Sequence, residues 1–175
     1  MHNFYFRYIL VLFLVAAVLL IPVTAKNNLV PLANEDRDFW NKVLEIENIS
    51  NKNLLYASYV AYRDRLNDLS IETFHECIRQ NSNNERILAI SHYYIGKNWY
   101  QLGDYQKALT HFLVVPRYDL GDFSNIKYAN YINLALTLHQ KGQDNKARIY
   151  LQKVKTENSP ERYQKMADTI LMELN

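Results

Sequence analysis

Apolar residues recur every three or four positions over most of the chain after residue 34, which is the spacing of one face of an α-helix. No stretch alternates between apolar and polar residues as a half-buried strand would. The chain has only four glycines and four prolines, which is typical of helices joined by short turns. The pattern therefore predicts an all-α fold, with helices over 34–49, 54–66, 70–79, 85–102, 105–115, 126–140, 145–154 and 160–174.

One pattern of residue types occurs twice, in the same order and with the same spacing. It consists of a small residue, a turn glycine, an alanine and a large apolar residue. These are Gly96, Gly103, Ala108 and Phe112 in the first copy, and Ala135, Gly142, Ala147 and Leu151 in the second. Each copy predicts two short antiparallel helices that meet at the glycine, and tandem hairpins of this kind are typical of helical-repeat proteins.

The two copies place two repeats within residues 85–159. The preceding segment, residues 34–84, is expected to hold an N-terminal helix capped by Asn34, a polar break at 50–53 and a divergent hairpin without the turn glycine. Residues 160–175 predict a last helix, with Ser159 as its cap and proline at its first position. This helix is expected to cover the exposed end of the stack.

At the eight repeated positions the chain resembles the tetratricopeptide repeat family. The resemblance implies a tetratricopeptide-like α-solenoid in which Gly96 and Ala135 let the second helix of each hairpin approach the first. It departs from the family pattern where His92 and Tyr131 stand at the usual tryptophan position. The turn glycines, Gly103 and Gly142, lie 39 residues apart instead of about 34, and the excess matches a loop over 117–125.

The resemblance further implies that the first helices of the hairpins line a concave groove that binds a partner protein or peptide. Such a wall is aromatic and rich in amides, which suits the main chain of an apolar or mixed peptide. Its residues would be Tyr59, Tyr93, Lys97, Tyr100, Gln101, Asn133, Leu136, His139 and Gln140.

Residues 1–25 have the pattern of an export signal. An unbroken apolar run over 8–21 is followed by small residues at 23 and 25, which predicts cleavage after Ala25. An uncleaved membrane anchor through 8–25 is the alternative, since this stretch is just long enough to cross a bilayer. A short linker over 26–33 follows. Both interpretations place the domain outside the cytoplasm, either released, as in a periplasm, or anchored in the membrane.

Charge and cysteine content narrow the classes of partner. The formal net charge is +2 with both signs interspersed, so no electrostatic footprint for nucleic acid is expected. Cys77 is the only cysteine, so the exported chain would contain no internal disulfide. Its position beside Phe74 and Ile78 predicts a buried, inert thiol.

The sequence has no motif that would support catalysis, so an enzyme is not expected, and neither a cofactor, a metal nor a small-molecule substrate is expected. The glycines are isolated and form no phosphate loop, and no two histidines have helical ligand spacing. His92 and His111 could approach each other across a hairpin, where packing is the favoured role. A small hydrolase would need a cleft that joins them to carboxylates.

Two functions therefore compete. The first is an exported adaptor or scaffold that binds a partner through the groove, within a cell-envelope assembly. The second is a self-associating structural subunit, anchored by its N-terminal helix, in which Phe39 and Trp40 pack against a second copy to form a homo-oligomer.

Overall fold

A computed structural model describes residues 32–34, 39–46 and 49–174 of the chain. The predicted signal or anchor over 1–25 and most of the linker lie outside the described residues. Residues 35–38 do as well, so the predicted capping role of Asn34 is not tested. Among the described residues, no helix is long and apolar enough to cross a membrane.

All regular structure in these ranges is helical, which confirms the all-α prediction. The short 3-10 turn Gly121–Phe123 lies within the expected loop, and a second one, Val115–Arg117, leads into it. The α-helices are α1 (Phe39–Ile46), α2 (Ile49–Arg63), α3 (Asn67–Gln80), α4 (Glu85–Gln101), α5 (Tyr105–Phe112), α6 (Ser124–Gln140), α7 (Asp144–Thr156) and α8 (Glu161–Glu173).

Local sequence explains where several of these helices begin and end. The side chain of Asn84 accepts a hydrogen bond from the Ile87 amide and caps α4, as an asparagine at this position commonly does. Gly103 and Gly142 have φ angles of +78° and +68°, in the left-handed region that side chains disfavour. Both glycines therefore form the hairpin turns that the repeated pattern predicts.

The predicted break at 50–53 is wrong, because α2 begins at Ile49 and runs through it. The turn between the helices predicted over 54–66 and 70–79 is also misplaced, since α3 begins at Asn67 and the left-handed turn residue is Arg65, with φ of 61°. Polar residues alone do not end a helix. The chain has neither glycine nor proline between residues 32 and 95, so tertiary packing decides these boundaries.

Two predictions near prolines are also wrong: the end of the helix predicted over 105–115 and the cap of the last helix. Helix α5 ends at Phe112, before Pro116, which lies within a 3-10 turn. Ser159 does not cap α8; its Oγ donates to the carbonyl of Val154 at 2.6 Å, and Pro160 is the residue before the helix. The Ser159 side chain therefore acts at the end of α7 and does not begin α8.

Each helix packs against the helices that precede and follow it in the sequence. In addition, α2 contacts α4, α4 contacts α6, and α6 contacts α8. We call the helices α2, α4, α6 and α8, which contact one another in that order, the even row. Helix α1 packs against α2. The even row therefore brings together residues that are far apart in the sequence.

The first repeat closes tightly around Gly96. A Cβ atom placed on Gly96 would lie 2.7 Å from both Cδ1 and Cε1 of Phe112, closer than carbon atoms can approach without a shift. Ala108 and Phe112 are fully buried, as are Ala135, Ala147 and Leu151 of the second repeat. The buried positions are those that the repeated pattern assigns to helix packing.

Candidate functional site

The predicted groove residues all lie on α2, α4 and α6, which belong to the even row. Their exposure differs from the expected open wall. Gln101 and His139 are exposed, and Tyr59 and Gln140 are partly exposed. The remaining ones are buried, namely Tyr93, Lys97, Tyr100, Asn133 and Leu136.

The centre of the wall is covered by the chain's own residues 33 and 34, so the expectation of an open surface is wrong there. The amide of Ala33 donates to Oδ1 of Asn133 at 2.7 Å, and Nδ2 of Asn133 donates to the Ala33 carbonyl at 3.1 Å. The hydroxyl of Tyr93 donates to the same carbonyl at 2.8 Å. Both main-chain polar groups of the fully buried Ala33 are thus satisfied by side chains of α4 and α6.

The next residue, Asn34, is held by α4 and α8. Nζ of Lys97 donates to its Oδ1 at 2.8 Å. Its carbonyl accepts from Nη2 of Arg162 at 2.9 Å and from the hydroxyl of Tyr163 at 3.0 Å. Three helices of the even row therefore converge on two consecutive residues.

Arg162 and Tyr163 were not among the predicted site residues. Tyr163 lies on the predicted last helix and is fully buried. Its hydroxyl nevertheless reaches Asn34. The one sequence feature that could have indicated their role is an arginine next to a tyrosine in the first turn of the last helix.

Lys97 is fully buried in an aromatic surround. Its Nζ lies 4.8, 5.0 and 4.9 Å from the ring centroids of Tyr62, Tyr93 and Tyr94. Ring faces attract a cation, and oxygen acceptors must replace its lost hydration. Oδ1 of Asn34 is one such acceptor, so Asn34 also helps to stabilise the positive charge of Lys97.

Helix α1 extends the cover over the even row. The Trp40 ring stacks on Tyr59 with centroids 4.3 Å apart, and its Nε1 donates to the Tyr94 hydroxyl at 3.0 Å. Phe39 packs edge-on against Phe123 at 5.4 Å. Phe39 and Trp40 were the expected self-association surface, yet both are buried within a single chain.

The predicted wall residues near the C-terminal ends of α4 and α6 have contacts of their own. Burial raises the pKa of Tyr100 to about 12, and its ring lies 5.2 Å from Tyr105. His139 pairs with Asp144 across the second hairpin turn, with Nδ1 and Oδ1 2.7 Å apart. The contacts described here for Tyr100 and His139 do not involve residues 33 and 34.

The structure brings three histidines together elsewhere. Nδ1 of His92 lies 3.0 Å from Nδ1 of His111, and the His75 ring is 5.8 Å from that of His111. Burial lowers the pKa of both His92 and His111 to about 4. Within the described ranges, no group of three or more histidine, cysteine or acidic side chains could hold a metal ion.

Comparisons of the chain with protein-family models, curated proteins and solved structures find no match. The helical fold and the side chains that surround residues 33 and 34 are therefore the observations on which a function can be argued.

Proposed function

We propose that the chain is an exported helical-repeat adaptor of the tetratricopeptide type, which binds an extended segment of a partner protein in a groove on the even row. The observation that carries the proposal is the pair of hydrogen bonds between the Asn133 carboxamide and the main chain of Ala33. A side-chain amide that both accepts from N–H and donates to C=O of one residue recognises main chain, whatever side chain that residue carries.

The surrounding donors are suited to the same task. The hydroxyls of Tyr93 and Tyr163 and the guanidinium of Arg162 each donate to a main-chain carbonyl. An extended peptide offers carbonyls and amides that no helix or sheet satisfies, and domains that bind extended peptides pair with these groups. The even row thus has the chemistry of a peptide-binding surface.

The repeat assignment is supported by the close approach of Gly96 and Phe112 and by the two left-handed turn glycines. The helices also pack as successive hairpins, in which alternate helices form a continuous row. Stacked hairpins of this kind form extended binding surfaces. Export is proposed from the apolar run over 8–21 and the small residues that follow it.

Photo-crosslinking of the full chain in its native envelope tests the function. A photoreactive residue would replace Gln101, which is exposed on α4, and a matched one would replace Gln152, which is exposed on α7 outside the even row. The adaptor function predicts one foreign protein attached at position 101 and not at 152, with the attachment site in an extended segment.

Intact-mass measurement of the same sample determines the N-terminus. A chain that begins at Lys26 is released after cleavage, whereas a complete N-terminus indicates an anchor. Adducts only between copies of this chain would overturn the adaptor function and favour the self-associating subunit. Equal capture of the foreign protein at positions 101 and 152 would contradict the groove.

A further inference from the structure

We propose that residues 32–34 are an internal ligand, which fills the peptide site of the free chain and must leave when a partner segment binds. The partner segment is then an extended stretch with a small residue in the place of Ala33, followed by a residue whose side chain carries an oxygen acceptor. This inference rests on the proposed function and specifies both the ligand and its regulation.

The internal ligand is held as a bound peptide would be. Its contacts join residues 100, 60 and 128 positions apart, through Asn133, Tyr93 and Arg162. All three bonds go to the main chain of residues 33 and 34. None of them depends on the segment being part of the same molecule, so a segment from another protein could make the same bonds.

The space around Ala33 sets the first requirement on a partner. Ala33 is fully buried, and protein interiors are packed too closely to accept a large side chain without displacement. Glycine, alanine or serine would fit at this position, whereas an indole or phenyl ring would not. The site therefore selects for a small residue.

The second requirement comes from Lys97. Its Nζ donates to Oδ1 of Asn34, so the residue after the small one should present a side-chain oxygen at that distance. Asparagine and aspartate have such an oxygen on a short side chain. Both requirements together describe a short extended motif, a small residue followed by asparagine or aspartate.

Tethering explains why the internal ligand would regulate binding. A segment joined to its site by a short linker has an effective concentration on the order of 1 mM. A free peptide with the same contacts and a Kd of about 100 µM would then bind the native chain roughly tenfold more weakly than a chain with an empty site. The free protein is thus kept from binding weak, unrelated segments.

The test uses a fluorescein-labelled synthetic peptide with the sequence of residues 26–38, titrated into the full chain and followed by fluorescence anisotropy. Ala33→Trp should expel the internal ligand, because the indole does not fit. Asn41→Trp is the matched control, since it adds the same bulk at an exposed position of α1. Circular dichroism and sedimentation establish that each variant is folded and monomeric.

We expect the Ala33→Trp chain to bind the peptide at least tenfold more tightly than the wild type, and the Asn41→Trp chain to behave as the wild type. A labelled peptide that itself carries tryptophan at position 33 should not bind to either chain. Native circular dichroism without peptide binding by Ala33→Trp would overturn the inference, because residues 32–34 would then be a structural part of the domain.

Hydrogen exchange of the wild type provides a measurement that needs no variant, should Ala33→Trp fail to fold. Excess unlabelled peptide should increase amide exchange in residues 32–46 and leave α7 unchanged. Unaltered exchange at saturating peptide would also overturn the inference. A stable dimer that exchanges residues 32–46 between copies would contradict the internal ligand, because the segment would then be an assembly element.

The two proposals fail in different ways. If Ala33→Trp does not bind the peptide but position 101 still captures a foreign protein in the envelope, the internal ligand is wrong and the adaptor function stands. If the peptide binds to Ala33→Trp but no foreign protein is captured, the site is a self-recognition device and the adaptor function is wrong.

Discussion

The side-chain amide of Asn133 makes two hydrogen bonds to the main chain of Ala33, which lies 100 residues earlier in the sequence. This relationship ties the start of the described chain to the middle of α6. Under the proposed function Ala33 occupies the peptide site, so the stability of the domain and the occupancy of that site are linked.

Asn133→Leu should destabilise the protein and release residues 32–34. The leucine side chain has a similar branched shape but leaves the Ala33 amide without its acceptor, which costs about 2 kcal/mol for a buried donor. Urea unfolding and hydrogen exchange of residues 32–46 measure the two effects. Asn145→Leu, at an exposed position of α7, is the control. Equal stability of Asn133→Leu and the wild type would argue against the Ala33 contact.

Gly96→Ala should lower the free energy of unfolding by about 1 kcal/mol. Alanine favours a helix by about 1 kcal/mol over glycine, but its Cβ would lie 2.7 Å from the Phe112 ring, and overpacking costs about 1–3 kcal/mol. Chemical denaturation decides the sign. Phe112→Leu in the same chain should relieve the clash, so the double variant should lose less than the sum of the single changes. A more stable Gly96→Ala chain would contradict the close approach.

Gly142→Ala should cost about 1 kcal/mol for a different reason. No atom lies within 4 Å of a Cβ placed on Gly142, but its φ is +68°, where an ordinary side chain is strained. Gly142→Asn is the control, because asparagine tolerates this conformation. Thermal unfolding should rank glycine above asparagine and asparagine above alanine; an alanine variant as stable as the asparagine variant would exclude backbone strain.

The stability of the fold should fall when the pH is lowered from 7 to 5. Burial lowers the pKa of His92 and His111 to about 4, whereas in the unfolded chain a histidine titrates near 6.5. The unfolded chain therefore binds protons first, and stability present above pH 6.5 is lost as the pH falls towards 4.

The partly buried pair should account for about 2 kcal/mol of this loss at pH 5. His75, whose pKa burial also lowers, acts in the same direction. Urea unfolding across the pH range measures the slope, which the double variant His92→Gln and His111→Gln should reduce. An unchanged slope would locate the pH dependence outside this cluster.

The thiol of Cys77 should be unreactive in the folded protein. Its side chain is 1% exposed, and burial raises its pKa to about 11, so little thiolate is present at pH 8. Alkylation by iodoacetamide should be roughly 100-fold slower in buffer than in urea. Glu72→Cys provides an exposed thiol on the same helix. Comparable rates for both thiols in buffer would mean that α3 opens readily.

Much of the fold follows from local pattern. The hydrophobic period predicts the helices, and the two glycines predict the hairpin turns because only a residue without a side chain readily takes positive φ. The predicted helix boundaries are less accurate where no glycine or proline marks them, as at the starts of α2 and α3, which are Ile49 and Asn67. There the packing of apolar side chains outweighs weak local preferences.

The candidate site was predicted only in part. The resemblance to tetratricopeptide repeats predicts that Tyr93, Lys97 and Asn133 belong to one surface. That the surface is filled by residues 33 and 34, and that Arg162 and Tyr163 complete it, could not be predicted. The bonds join residues 60 to 129 positions apart, and no local pattern encodes which segment returns to which helix.

The sequence by itself thus determined the helical class and the positions of the two glycine turns, because these depend on helix period and backbone conformation. Tertiary structure alone decided that the predicted wall is covered by residues 33–34 and by Trp40 of α1. The reason is physical: burial of the Trp40 ring and satisfaction of the main chain of Ala33 and Asn34 require groups from α2, α4, α6 and α8, which become neighbours only when the chain has folded.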